Sequence, residues 1–186
     1  MTNSKEGRST EMSFSSWKPE HGLWFLIRAD WIANKDSQKG RVVMVLFRIA
    51  SWFRRTNKLT HMIGVPYLVF YRIAVEWILG IEIPPATRIG RGLAVHHGQG
   101  IVVNNRTIIG DYCCLRQGVT LGNRSSDDKY GCPTLGNHII VGANGLVLGR
   151  IVIGDNAIIG AGAVVLKDVE SGDTVVGNPA KPLLRK

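Results

Sequence analysis

A chain of 186 residues, 45% hydrophobic and 20% charged, has the make-up of one globular domain, with or without a short appendage, and excludes a long disordered or low-complexity protein. Three cysteines, two of them adjacent, exclude a disulfide framework, and neither a CxxC pair nor an HExxH element offers a zinc site, so no metal is expected. The net charge of +9 sits mainly in residues 1–80, with 12 Lys/Arg against 6 Asp/Glu; without a nucleic-acid-binding motif it points to phosphorylated ligands or an anionic membrane surface.

Residues 1–19 read as a flexible start. Lys5, Glu6, Arg8 and Glu11 precede no apolar core segment and no small-residue cleavage site, so no secretion signal is expected and the protein is placed in the cytoplasm. Residues 20–80 read as a helical segment, with helices over 22–33, 41–55 and 66–79 and connections over 34–39 and 56–64. In the second helix Val42, Val45, Leu46, Ile49 and Phe53 fall on one face, while Arg41, Arg48, Arg54 and Arg55 gather elsewhere as solvated cations. Such a helix packs within its own oligomer or rests peripherally on the inner face of a membrane. The third is apolar enough to raise the question of a membrane span. Arg72 and Glu76, four apart and able to pair, and Pro66 leave no uninterrupted apolar run of about twenty residues, so a helix docked on protein or lipid is predicted.

From Ile81 the period changes to six. Leu135, Val141, Val147, Ile153, Ile159 and Val165 recur at every sixth position, with glycine following four of them. Six fits neither the 3.6-residue helix nor the two-residue strand; it predicts a β-solenoid of short strands over residues 81–186, stable only as a stacked array. Ile83, Ile89, Val95 and Ile101 form an earlier set, and Ile109, Leu115 and Leu121 a set shifted by two residues. A larger shift between Leu121 and Leu135 coincides with the polar, glycine-bearing stretch GNRSSDDKYGCPT, a loop by composition and a place to look for function.

Two stretches besides the repeat carry a resemblance: Gly92 to Val103, with adjacent His96 and His97, and Gly160 to Leu166 followed by Gly177-Asn178-Pro179-Ala180-Lys181. Together they resemble the hexapeptide-repeat acyltransferases of the serine acetyltransferase branch, over 81–181. The resemblance implies a mainly β protein, a left-handed parallel β-helix behind short helices, assembled as a homotrimer with acetyl-CoA held between neighbouring coils. By position His97 matches the family's general base and Glu82 its carboxylate partner, an aspartate in the family. Such a carboxylate fixes the imidazole tautomer and stabilises the imidazolium. Gly142, Ala143, Gly160 and Ala161 match positions whose backbone approaches the pantetheine arm, Lys167, Lys181 and Arg185 the phosphate end, and Pro179 the adenine end.

The departures bear on the acceptor. Serine acetyltransferases have an aspartate at His96, a glutamate at Asn105 and an Arg-His pair at Gly131-Cys132. Losing those charges removes complementarity to a zwitterion. His96, Gln99, Asn105, Asn123, Cys132 and the loop hydroxyls suit a neutral, hydroxyl-rich acceptor instead. The His-His and Cys-Pro pattern resembles the O-acetyltransferases of colanic acid and other exopolysaccharide clusters, implying a sugar or lipid-linked glycan acceptor. A serine O-acetyltransferase with an unusual acceptor site, and a non-catalytic trimeric scaffold, are the alternatives. Cys132 lacks a base beside it in sequence and reads as an acceptor-loop residue, not a nucleophile. Cys113 and Cys114 read as core or turn residues, and His138 as structural.

Overall fold

The computed structural model describes residues 21–125, 127–128 and 130–183; the start expected to be flexible and Arg185 lie outside the described residues. Three α-helices come first: α1 Leu23–Ala33, α2 Gln38–Arg55 and α3 Lys58–Tyr71, which runs on as a π-helical segment, Arg72–Ile78. The connections are shorter than composition predicts because side-chain caps start two helices early. The Ser37 side chain accepts from Gly40 N and opens α2; Asn57 Oδ1 accepts from Thr60 N at 2.9 Å and opens α3, leaving Pro66 inside the helix.

The buried face of α2 also differs from the expected one. Val43, Met44, Phe47, Ala50 and Ser51 are buried, whereas Val42 is exposed. Arg48, expected in solvent, is buried: its Nε donates to Asp30 Oδ2 at 2.7 Å, and its other nitrogens to Asp30 Oδ1, Ile89 O and Gly90 O. A buried guanidinium is tolerated where a carboxylate and carbonyls engage its donors, as they do here.

The rest of the described chain is a three-faced parallel solenoid. The first face stacks β1 Ile81–Glu82, β4 Ile101–Val103, β7 Thr120–Gly122, β10 Leu146–Leu148 and β13 Val164–Val165. The second stacks β2 Arg88–Ile89, β5 Ile108–Ile109, β8 Thr134–Leu135 and β11 Val152–Ile153. The third stacks β3 Ala94–His96, β6 Cys114–Arg116, β9 Ile140–Val141, β12 Ile158–Ile159 and β14 Thr174–Val176, and ends in antiparallel β15 Lys181–Pro182. The aliphatic side chain read at every sixth position points inward: Leu115, Val141, Val147, Ile153 and Ile159 are fully buried, each stabilising the stack by roughly 1.5–3 kcal/mol.

The helices cap the open edge of the first coil. Asp30 accepts from Gly92 N and Leu93 N at 2.8 and 3.1 Å; Asn34 accepts from Val95 N and donates to Leu93 O, both at 2.8 Å; Ser37 donates to Val95 O at 2.9 Å. Arg55 donates to Thr87 O and Tyr71 to Ile83 O, both at 2.7 Å. An edge strand with bare amides and carbonyls would recruit another chain; here helix side chains occupy those groups on all three faces.

Candidate active site

The edge joining the third face to the first carries His97. Elsewhere along this edge the inward residues are six apart, as between Leu115 and Leu121, but eight separate Val95 from Val103. Register identifies the extra pair: His96 faces Arg116, Val103 faces Leu121, and Gly118 N donates to Gln99 O, which leaves His97 and Gly98 as the insertion. The two-residue shift therefore lies here, not between Ile101 and Ile109. Both residues have positive φ, 64° and 72°, and each centres a three-residue turn: Gly98 N donates to His96 O at 2.8 Å and Gln99 N to His97 O at 3.0 Å. Turns of this kind are rare and strained, and here they stand His97 out of the coil as an exposed side chain.

Glu82 stands outward and exposed on β1, beside Ile81, in register with Val102. A Cβ built on Gly98 would lie 2.7 Å from Ile81 Cδ1, so the His97–Gly98 turn packs directly against the residue before Glu82. Among the described residues no hydrogen bond joins Glu82 to His97. Farther along the same edge come Gly142-Ala143 and Gly160-Ala161, aligned through Asn144 N to Gln117 O and Gly162 N to Ala143 O. Close approach of backbone explains Gly142, whose Cβ would meet Ala161 N at 2.6 Å.

The other sequence-derived residues are not brought to that edge within one chain. His96 points outward on the third face, half-buried. Asn105 is exposed at the edge between the first and second faces, where the 123–133 loop leaves the coil, across β4 and about 10 Å of strand from His97. Asn123 joins that edge by accepting from Asn104 Nδ2 at 3.3 Å, and its own amide donates to Ser125 O at 2.7 Å. Cys132 is buried in the loop base; burial pushes its thiol above the ordinary range, with Arg106 opposing, so it is not poised as a thiolate. Cys113 is buried and its thiol is pushed up to about 11 by desolvation, while His138, at an exposed turn, stacks on Tyr112 with ring centroids 5.4 Å apart.

Lys167, Pro179 and Lys181 line one cavity of about 520 Å3 at the carboxyl-terminal end of the solenoid. Arg124 lines it too and was not legible in the sequence, because only the stacking of Gly149 on the loop base carries Arg124 to that end. Asp168, Glu170 and Asp173 share the wall, and Asp168 is engaged by Val152 N at 2.8 Å.

No protein-family model matches the chain. The Escherichia coli (strain K12) protein named as a colanic acid biosynthesis acetyltransferase, WcaB, is 40% identical over 123 residues, which cover 64% of this chain and 75% of that one. A serine acetyltransferase of Synechococcus elongatus is 40% identical over 146 residues, covering 78% of this chain and 57% of its own length. Among solved structures, soybean serine acetyltransferase in its apo form superposes with a TM-score of 0.75 at 29% identity, over 87% of this chain and 69% of that one. Repeat, capped solenoid and relatives agree: the chain is an acetyltransferase and belongs to the hexapeptide-repeat acyltransferases of the serine acetyltransferase-like branch.

Proposed function

We propose that this acetyltransferase moves the acetyl group of acetyl-CoA to a sugar hydroxyl in exopolysaccharide or capsule synthesis, with His97 as general base. The observation that carries this reading is the inserted, strained His97–Gly98 turn, which departs from an otherwise regular edge to present one imidazole. His97 takes the hydroxyl proton as the acceptor oxygen attacks the thioester carbonyl. The tetrahedral intermediate then expels CoA thiolate, which takes the proton back from the imidazolium. Glu82, next to Ile81 against which the turn packs, orients the ring.

Acetyl-CoA lies along the edge past Gly142-Ala143 and Gly160-Ala161 toward the cavity of Lys167, Pro179 and Lys181. The separation of Asn105, Asn123 and Cys132 from His97 within one chain supports a homotrimer, in which the loop edge of one copy faces the His97 edge of the next and a site forms between them. His96 and Asn105, standing where the serine acetyltransferases carry charged side chains, together with Asn123 favour a sugar over the zwitterionic acceptor of those enzymes. A cytoplasmic location fits the supply of acetyl-CoA.

The test follows loss of thioester ultraviolet absorbance with L-serine, nucleotide sugars and lipid-linked glycans as acceptors, on the wild type and His97→Asn. The expected result is turnover with a glycan acceptor and a fall of roughly 10²–10⁴-fold in the variant. Turnover confined to L-serine assigns the chain to the second reading, a serine O-acetyltransferase, which the similarity to those enzymes supports. Absence of acetyl-CoA binding by calorimetry would favour the scaffold.

A further inference from the structure

The helical cap leaves an apolar surface uncovered. Toward α2 and the first coil, α3 and the π-helical segment turn Gly64, Tyr67, Tyr71 and Val75: Gly64 lies against the Phe53 ring, Tyr67 donates to Leu46 O at 3.1 Å and Tyr71 to Ile83 O at 2.7 Å. Facing away from this contact are Leu59, Met62, Ile63, Phe70, Ile73 and Trp77, spaced so that they recur along one side and 42–73% exposed. Trp24 of α1 is 80% exposed. Six large apolar side chains in one stripe exceed the scattered exposure ordinary for a surface.

Charge selects what covers the stripe. Residues 21–80 hold nine Lys/Arg and three Asp/Glu. Two pairs cancel, Asp30 with buried Arg48 and Glu76 with Arg72 at 3.3 Å, which leaves seven Lys/Arg against Asp36. A second copy laid on this face would set excess positive charge against excess positive charge, a juxtaposition that association disfavours. An anionic lipid surface offers the opposite sign, and an apolar stripe that opens beside exposed Lys58 and ends in tryptophan suits the headgroup boundary. No helix among the described residues is long and apolar enough to cross a membrane, so the element lies in the plane of the surface.

We propose that the face formed by α3 and the π-helical segment docks on an anionic bilayer, with Met62, Phe70 and Trp77 in the acyl boundary and Lys58 among the headgroups. This does not rest on the identity of the acetyl acceptor, and its test reads lipid binding alone. The full chain is floated with vesicles of phosphatidylcholine containing phosphatidylglycerol, and with phosphatidylcholine alone, for the wild type and Met62→Asp/Phe70→Asp. The expected result is binding to the anionic vesicles that weakens at least about tenfold in the double variant, whose circular dichroism and elution volume stay those of the wild type.

Equal binding to both vesicle types, or none by the wild type, overturns the proposal; none by the wild type together with a smaller assembly in the double variant assigns the face to a copy–copy contact. Brominated lipid gives a second measurement that needs no charged substitution. Tryptophan quenching falls in Trp77→Phe relative to the wild type if this face inserts, and equal quenching in the two overturns its insertion.

Discussion

Arg48 Nε donates to Asp30 Oδ2 at 2.7 Å, and this pair, almost wholly shielded from solvent, joins two helices to the first coil of the solenoid. Burial pushes the Asp30 carboxyl up from its ordinary range, while Arg48 and the amides of Gly92 and Leu93 pull it back. Arg48→Met removes the cation and leaves the carboxylate facing amides alone. Loss of about 3–5 kcal/mol is expected by urea denaturation, the cost of breaking a buried pair from one side. Asp30→Asn with Arg48→Met should recover part of it, since the lone buried charge is gone. A single variant within about 1 kcal/mol of the wild type would show that the cap does not depend on this pair.

Gly98→Ala tests whether the inserted turn sets activity. Its added Cβ meets Ile81 Cδ1 at 2.7 Å and Val95 Cγ1 at 3.1 Å, on a backbone with φ of 72°. Gly172, at φ 77° on the edge between the second and third faces, has no atom within 4 Å of its Cβ position and is the matched control. Both substitutions carry the backbone penalty of about 1–2 kcal/mol, and only the first also displaces His97. Turnover should fall tenfold or more in Gly98→Ala, by the sensitivity of catalysis to misplacement of about 1 Å, and little in Gly172→Ala. Equal turnover of the two variants would remove the turn from the catalytic argument.

The period of six made the solenoid readable, because every inward residue from Leu135 to Val165 answers to burial alone. His97 was readable as a motif, but its placement was not: a shift of frame can be seen only as two residues too many somewhere between Val95 and Ile109, and strand register is needed to assign them to His97–Gly98. The cap escaped for a different reason. Asp30, Asn34, Ser37 and Arg48 are ordinary polar helix residues in sequence, and the first-coil backbone groups they hold lie more than forty residues away. The helices expected from 41 and 66 begin at Gln38 and Lys58, because Ser37 and Asn57 act as side-chain caps inside stretches that read as connections. Gly64 belongs in α3 because its missing Cβ makes room for the Phe53 ring.

Cys132→Ser separates a lining residue from a nucleophile. Burial raises the thiol, so at neutral pH it is protonated and slow toward iodoacetamide; its reaction rate should rise only as the pH climbs past the ordinary thiol range. The serine variant should keep turnover within about tenfold of the wild type, with any change falling on the acceptor KM. Loss on the scale of His97→Asn, or an acetylated Cys132 caught by mass spectrometry with acetyl-CoA alone, would contradict direct transfer.

Gly142→Ala probes how coil stacking and cofactor binding share one edge. The new methyl would meet Ala161 N at 2.6 Å and Gly160 C at 2.9 Å; both are backbone atoms of the next coil and cannot swing aside. The coils must separate locally, costing about 1–3 kcal/mol in a thermal or urea melt, as overpacking does elsewhere. If the amides of Ala143 and Ala161 also border the pantetheine arm, the same displacement raises the KM for acetyl-CoA and leaves the acceptor KM unchanged, since Asn105 and Asn123 lie on the other edge of the face. A destabilised variant with an unaltered acetyl-CoA KM would confine Gly142 to the stacking of coils and move the cofactor path away from this edge.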